Sequence, residues 1–217
     1  MKKIIVTGGL GFIGSNLIKI LLKKDFFIIN IDRVSYASSF YNTREFIKSN
    51  NYKFIKCNIN NSKRLFSIFK KFKPEGIFNL AAETHVDRSI DGPHPFIINN
   101  INGTFSLLEC FRKYSKIKKN SKLIHISTDE VYGDVLKGRS HENHPYKPSS
   151  PYAASKASSD HLISSYIKTY MKPVEDLVAR MQTGETKQRL YENLRSVPGG
   201  EILSSFQEMH FSKRNKP

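Results

Sequence analysis

The sequence predicts an α/β fold, a doubly wound parallel sheet covered by helices on both faces. Three observations predict it. Short apolar or β-branched runs alternate with amphipathic helical stretches, giving six strand–helix alternations with right-handed crossovers. The first run, residues 3–7, ends in a glycine-rich turn that leads straight into a helix. The run at residues 123–126 stops abruptly at four side chains able to handle protons: Ser127, Thr128, Asp129 and Glu130. Open α/β sheets build their sites in this way, at the C-terminal ends of their strands.

Taken in order, residues 3–7 form the first strand and are followed by Gly8-Gly9-Leu10-Gly11-Phe12-Ile13-Gly14 and a helix to about Lys24. The glycines fit both Gly-x-x-Gly-x-x-Gly (Gly8, Gly11, Gly14) and Gly-x-Gly-x-x-Gly (Gly9, Gly11, Gly14). They permit a tight turn, a close approach of backbone to a pyrophosphate, and close helix–strand packing, as in a Rossmann unit. Residues 26–31 form the second strand, and Asp32 ends it, 21 residues beyond Gly11. A carboxylate at that distance accepts hydrogen bonds from adenosine ribose hydroxyls and repels a 2′-phosphate, so the expected cofactor is NAD rather than NADP. Arg33, next to it, is the kind of residue that accommodates such a phosphate.

A short helix is expected at 42–48, a third strand at 52–57, a helix at 62–72 ended before Pro74, and a fourth strand at 76–80. The segment after it is dense in polar groups: Glu83, His85, Asp87, Arg88 and Ser89. A long helix is expected from Pro93 to about Tyr114, carrying Asn99 and Asn102. The fifth strand follows. The loop 134–148 holds His141 and His144, both expected to be exposed and without metal. Ser150 is a suitable N-cap and Pro151 a suitable first residue for the helix 151–170. Tyr152 then lies in its first turn, with Lys156 four residues on along the same face. The Lys156 ammonium and the positive helix end both favour phenolate, so Tyr152 is expected to act as a base near neutral pH.

The chain of 217 residues suits one sizeable domain with room for little more. It has no run of 18 apolar residues and no signal-peptide pattern, and the expectation is a soluble, cytoplasmic protein with no membrane partner. Cys57 and Cys110 lack metal-type spacing and fit a reduced compartment, as core residues. The net charge of +16 raises the question of nucleic acid. Its lysines are scattered, however, with pairs such as Lys70-Lys71 at helix ends, so no nucleic-acid partner is expected. A basic surface still attracts an anionic substrate.

Gly8 to Gly14, Asp32, Thr128-Asp129-Glu130 and Tyr152-x-x-x-Lys156 together make residues 1 to about 171 resemble the extended short-chain dehydrogenase/reductase superfamily, and within it the dTDP-glucose 4,6-dehydratases. The resemblance implies an NAD-dependent lyase acting on a nucleotide sugar. Gly8, Gly11, Phe12, Ile13, Gly14 and Asp32 would bind the cofactor, together with Asn58, Ile59, Ala81, Ala82, Asn99, Tyr152 and Lys156. Asn58 stands where the family carries an aspartate against the adenine. Tyr152, with Lys156 and Thr128, would take the sugar C4 hydroxyl proton, Glu130 the C5 proton, and Asp129 would protonate the departing C6 hydroxyl. His85, Ser89 and Thr128 would touch the sugar or its phosphates. The two long helices would pair with their twins in a homodimer.

After Lys172 the resemblance fails, and the composition changes with it: Ile falls from 22 residues to 1. Residues 172–217 read as an atypical tail in place of the family's substrate lobe. Weakly amphipathic helices are expected around Leu177, Val178, Met181, Leu190 and Leu194. The nucleotide base stays open: a UDP- or GDP-sugar 4,6-dehydratase or an epimerase of the same superfamily is the alternative. A non-catalytic NAD-binding remnant is the alternative of another class.

Overall fold

The computed structural model describes residues 1–135, 138 and 140–170. The tail expected at 172–217, with its amphipathic stretches, lies outside the described residues. The described chain forms a Rossmann-like sheet of five parallel strands: β1 (Lys3–Thr7), β2 (Phe27–Asp32), β3 (Tyr52–Lys56), β4 (Gly76–Asn79) and β5 (Lys122–His125), in the order β3-β2-β1-β4-β5. Six alternations were expected; five strands are found among the described residues. The order reverses between β1 and β4, which opens a crevice at their C-terminal ends.

Strand alternation divides the core in two. Ile4 and Val6 point to the face covered by α1 (Phe12–Lys23), where they meet Leu17, Ile18 and Leu21. Ile5, Ile29 and Ile77 point to the other face, against α2 (Ser62–Phe72) and two later helices. Each such fully buried side chain contributes about 2 kcal/mol. Helix α2 starts because the Asn61 side chain accepts from the Arg64 N–H (3.1 Å). It stops where Lys73 turns left-handed (φ 49°) ahead of Pro74.

The short helix expected at 42–48 is replaced by a 3-10 turn at Phe40–Thr43. Its polar side chains bond to backbone instead: Thr43 Oγ1 donates to Phe40 O (2.8 Å) and Asn42 Nδ2 to Leu10 O (2.9 Å). The segment after β4 gains a helix that was not expected, α3 (Val86–Asp91). The long helix after it is continuous but composite. It runs through α4 (His94–Phe96), a π-helical segment Ile97–Asn102, and α5 (Gly103–Ser115). The last described helix, α6 (Pro151–Tyr170), begins as the sequence predicts, with Ser150 Oγ accepting from the Ala153 N–H (3.1 Å).

Of the apolar residues on α5 and α6, Leu107, Leu108, Ile163 and Ile167 are buried within the chain, whereas Phe105 stays exposed. No helix among the described residues is long and apolar enough to cross a membrane.

Candidate active site

The crevice at the strand ends is a cleft of about 480 Å³. Its floor is the turn after β1. Gly8 adopts φ 71°, and a Cβ there would lie 2.8 Å from the Leu80 carbonyl. A side chain at Gly14 would collide with the Gly8 carbonyl. The turn therefore closes tightly beneath the N-terminus of α1, whose free N–H groups make an anion cradle. Phe12 and Ile13 line the mouth and are largely exposed.

Asp32 lies at one end of this cleft, buried, with its carboxylate held by three donors. Oδ1 accepts from Val34 N–H (2.8 Å) and Ser38 Oγ (2.8 Å), and Oδ2 from Leu10 N–H (3.0 Å). An oxygen accepts about two hydrogen bonds, so Oδ2 keeps one place for a ligand hydroxyl. Asn58 and Ile59 line the same end. Asn58 Oδ1 is engaged by the Asn60 N–H (3.0 Å), which leaves its Nδ2 as the donor that an aspartate would lack. Ala81 and Ala82 line the opposite wall. A glycine cradle joined to a prearranged carboxylate fits the pyrophosphate and ribose of a dinucleotide.

At the other end stand Tyr152 and Lys156, both buried and both lining the cleft. Thr128 caps a 3-10 turn, Asp129–Tyr132, by accepting from the Glu130 N–H (3.3 Å). Thr128 also acts on the Tyr152 phenol, opposing the rise of its pKa. Asp129 and Glu130 are exposed beside the cleft rather than part of its lining. Partial desolvation, and then the Asp129 charge, push Glu130 above the ordinary carboxylate range, toward a stronger base.

The electrostatics of Tyr152 differ from the expectation. Burial pushes its phenol up, the Thr128 side chain opposes this, and the charges of Glu130, Asp129 and Asp160 add to the rise. The Lys156 ammonium is turned toward the end of β5 instead: Nζ donates to Ile126 O (2.6 Å) and lies 3.3 Å from His125 Nε2. Desolvation lowers Lys156 to about 8, with Asp160 pulling the other way. Burial, and secondarily Lys156, hold His125 well below its ordinary value, so the imidazole is neutral.

Five residues behind this corner escaped the sequence reading. Thr7 Oγ1 donates to Asn79 Oδ1 (2.6 Å), and Asn79 Nδ2 meets His125 Nδ1 (2.9 Å). Asp160 accepts from Ser127 and from Tyr146 (3.2 Å) and lies 3.7 Å from His125 Nε2. Asn100, within the π-helical segment, accepts from Glu83 N–H (2.7 Å) and donates to Glu83 O (3.0 Å) and Ser155 Oγ (2.8 Å). Asp160 had a signal, since it lies one helical turn from Lys156. A buried histidine in an apolar strand gave none.

The polar segment after β4 divides. His85 lines the cleft, exposed, with its ring 5.5 Å from Tyr36, and the Arg88 guanidinium covers the same tyrosine at 3.9 Å. Ser89 is placed differently from the expectation of a sugar contact. It is fully buried, donates to Val86 O (2.6 Å) and accepts from the Tyr152 N–H (3.1 Å), which fastens the start of α6. Asn99 lines the cleft, whereas Asn102 is exposed. Both cysteines are free and buried, and burial raises both thiols, Cys110 to about 11. Cys57 also borders the cleft.

The profile of the GDP-mannose 4,6 dehydratase family matches residues 5–189, beyond the break read at Lys172. The dTDP-glucose 4,6-dehydratase of Salmonella typhimurium is 43% identical over 187 residues, covering 79% of this chain and 52% of that protein. That of Haemophilus influenzae is 44% identical over 182 residues, covering 80% and 54%. The crystal structure of the Streptomyces venezuelae dTDP-glucose 4,6-dehydratase, with NAD bound, is similar at TM-score 0.72 and 35% identity, covering 77% of this chain and 52% of that one. The UDP-glucose 4-epimerase of Thermus thermophilus, in complex with NAD, gives TM-score 0.69 at 31% identity, covering 77% and 51%. The chain thus spans about half the length of the relatives it matches.

Proposed function

The chain belongs to the GDP-mannose 4,6 dehydratase family, and from that premise we propose that its cleft serves NAD-dependent dehydration of dTDP-glucose to dTDP-4-keto-6-deoxyglucose. One observation carries the reading. The turn bearing Asp129 and Glu130 packs against α6, and both carboxylates act on the Tyr152 phenol, at the far end of a glycine cradle from Asp32. NAD would supply the hydride acceptor at C4 and the hydride donor at C6. Gly8, Gly11 and Gly14 would seat its pyrophosphate and Asp32 its ribose, with Asn58, Ile59, Ala81, Ala82 and Asn99 along the walls.

Tyr152, the rise of its phenol opposed by Thr128, would take the proton of the C4 hydroxyl as that carbon is oxidised. The ketone acidifies C5–H. Glu130 removes that proton and Asp129 protonates the C6 hydroxyl, which leaves as water. Glu130 then returns its proton to C5. Desolvation and the Asp129 charge push Glu130 up toward a base of useful strength. His85 would meet the sugar nucleotide at the mouth. Ser89 serves the site by holding Tyr152.

Residues 1–171 form the NAD-binding and catalytic unit in this reading, and the protein works in the cytoplasm. It pairs as a homodimer through the outer faces of α5 and α6, where Phe105 is exposed. The test is incubation of the chain with NAD and dTDP-glucose, UDP-glucose or GDP-mannose, with loss of one water followed by mass spectrometry. Water loss confined to dTDP-glucose is expected. Its absence with all three sugars, while NAD still binds, would favour an NAD-binding module without turnover.

A further inference from the structure

Arg33 follows Asp32 directly and borders the adenosine end of the cleft. An unpaired guanidinium there is the usual means of holding a 2′-phosphate, and it would work against Asp32. In this structure Arg33 is not unpaired. Its Nη2 is ion-paired with Glu83 Oε1, and its Nη1 donates to Asn99 Oδ1 (3.1 Å). The partner comes from across the cleft, because β2 and β4 flank β1 and its glycine turn.

Glu83 is well placed to keep that hold. It is 4% exposed, and Asn100 fixes its backbone at both N–H and C=O. Asn99 Nδ2 lies 3.4 Å from the same Oε1 and also donates to Pro95 O (2.8 Å), so Asn99 steadies both members of the pair. Asp32, Arg33 and Glu83 together carry one net negative charge. Lys56 and Arg64, the other cations bordering the adjoining groove with Arg33, are exposed to solvent, where their attraction is screened.

We propose that Glu83 is a cofactor-specificity residue: by holding Arg33 it withholds the guanidinium from a 2′-phosphate and so reinforces the choice of NAD made by Asp32. Selection then has two parts, repulsion at Asp32 and sequestration at Arg33. The proposal rests on the dinucleotide reading of the cleft, and it concerns binding alone.

The experiment is calorimetric titration of NAD and NADP into the wild-type chain, Glu83→Gln, Arg33→Met and the double variant. Glu83→Gln should raise NADP affinity about ten-fold, the worth of one charge-assisted hydrogen bond pair, while NAD affinity moves far less. Arg33→Met alone should leave NADP binding within about two-fold, because the guanidinium is already engaged, and in the double variant the gain should vanish. An unchanged NAD to NADP ratio in folded Glu83→Gln overturns the proposal. So does a large loss of NADP binding in Arg33→Met alone, which would mean that Arg33 already reads the phosphate. If Glu83→Gln fails to fold, Glu83→Asp, which keeps the charge but shortens its reach, should move the ratio in the same direction, and no movement overturns the proposal. Failure of the wild-type chain to bind either dinucleotide instead overturns the reading of the cleft itself.

Discussion

Lys156 Nζ lies 3.3 Å from His125 Nε2, at the end of a hydrogen-bonded row that starts at Thr7. The row crosses three adjacent strands in register, since Thr7 pairs with Asn79 and Asn79 with His125. Thr7 itself accepts from the Ala81 N–H (3.3 Å), so the wall of the cleft and its lysine share one buried network. Such a network is costly to interrupt, because each orphaned group stays buried without water. Asn79→Leu is expected to destabilise the chain by about 2 kcal/mol or more in urea unfolding, since it strands both the Thr7 hydroxyl and His125 Nδ1. A cost under about 0.5 kcal/mol would mean that the row does not act as a unit.

The buried Lys156 makes stability depend on pH in a defined window. Its folded value, about 8, lies below the ordinary 10.5, so the unfolded chain binds more protons between those values. Folding stability from this group therefore rises with pH through that window and falls back as pH drops through about 8. Relative to Lys156→Met, the wild-type chain should gain melting temperature on going from neutral to alkaline buffer. A difference between the two proteins that stays flat above pH 8 would argue that the ammonium is not desolvated.

Glu130 owes part of its raised value to Asp129. Asp129→Asn removes the like charge, so Glu130 should titrate at lower pH than in the parent, which carboxyl NMR resonances would follow without any need for turnover. An upward move, or none, would contradict the coupling. Glu130→Gln in the parent should abolish water loss from the sugar while NAD still binds.

Val34 has φ 63°, a conformation costly for a β-branched residue, and its N–H is one of the donors holding Asp32. The strain is the cost of turning the chain so that this amide faces the carboxylate. Val34→Gly should stabilise the fold by about 1 kcal/mol in thermal or urea unfolding without weakening NAD binding. A less stable variant would show that the side chain contributes more than the strain costs.

Phe105 is the apolar residue left outward on α5 when Leu107 and Leu108 turn inward. If the chain pairs through this face, sedimentation should give a dimer at tens of micromolar (roughly, well above common dimer affinities) and Phe105→Glu a monomer. A monomeric parent would remove the pairing from the proposal.

The strands, the glycine turn and the start of α6 were legible because each has a local cause: an apolar run, a backbone that tolerates no Cβ, a serine cap before proline. Tyr152 and Lys156 were legible as a pair at helical spacing, but not the direction of their electrostatics. That direction depends on what faces them from β5, and contacts between distant strands leave no local pattern. Ser89 misled for the same reason. Its type suits a sugar contact, and only the packing of α3 on α6 shows its hydroxyl used by the Tyr152 amide. Asn100 was hidden between Asn99 and Asn102 because a 3.6-residue period does not hold where the helix widens.

That widening also governs how the chain tolerates length changes. A π-type turn holds one residue more than an α-turn, so beyond it every side chain is rotated by about 100° from the phase a uniform helix would give. Asn99 can thus line the cleft and Asn100 hold the Glu83 backbone while Leu107, Leu108 and Phe111 attend to the sheet, on a single unbroken rod. Removing one residue between Ile97 and Asn102 would restore ideal helical geometry and break this arrangement. Either Asn99 and Asn100 would lose their places beside Glu83 or the sheet its cover, so here a local gain in regularity is a global loss.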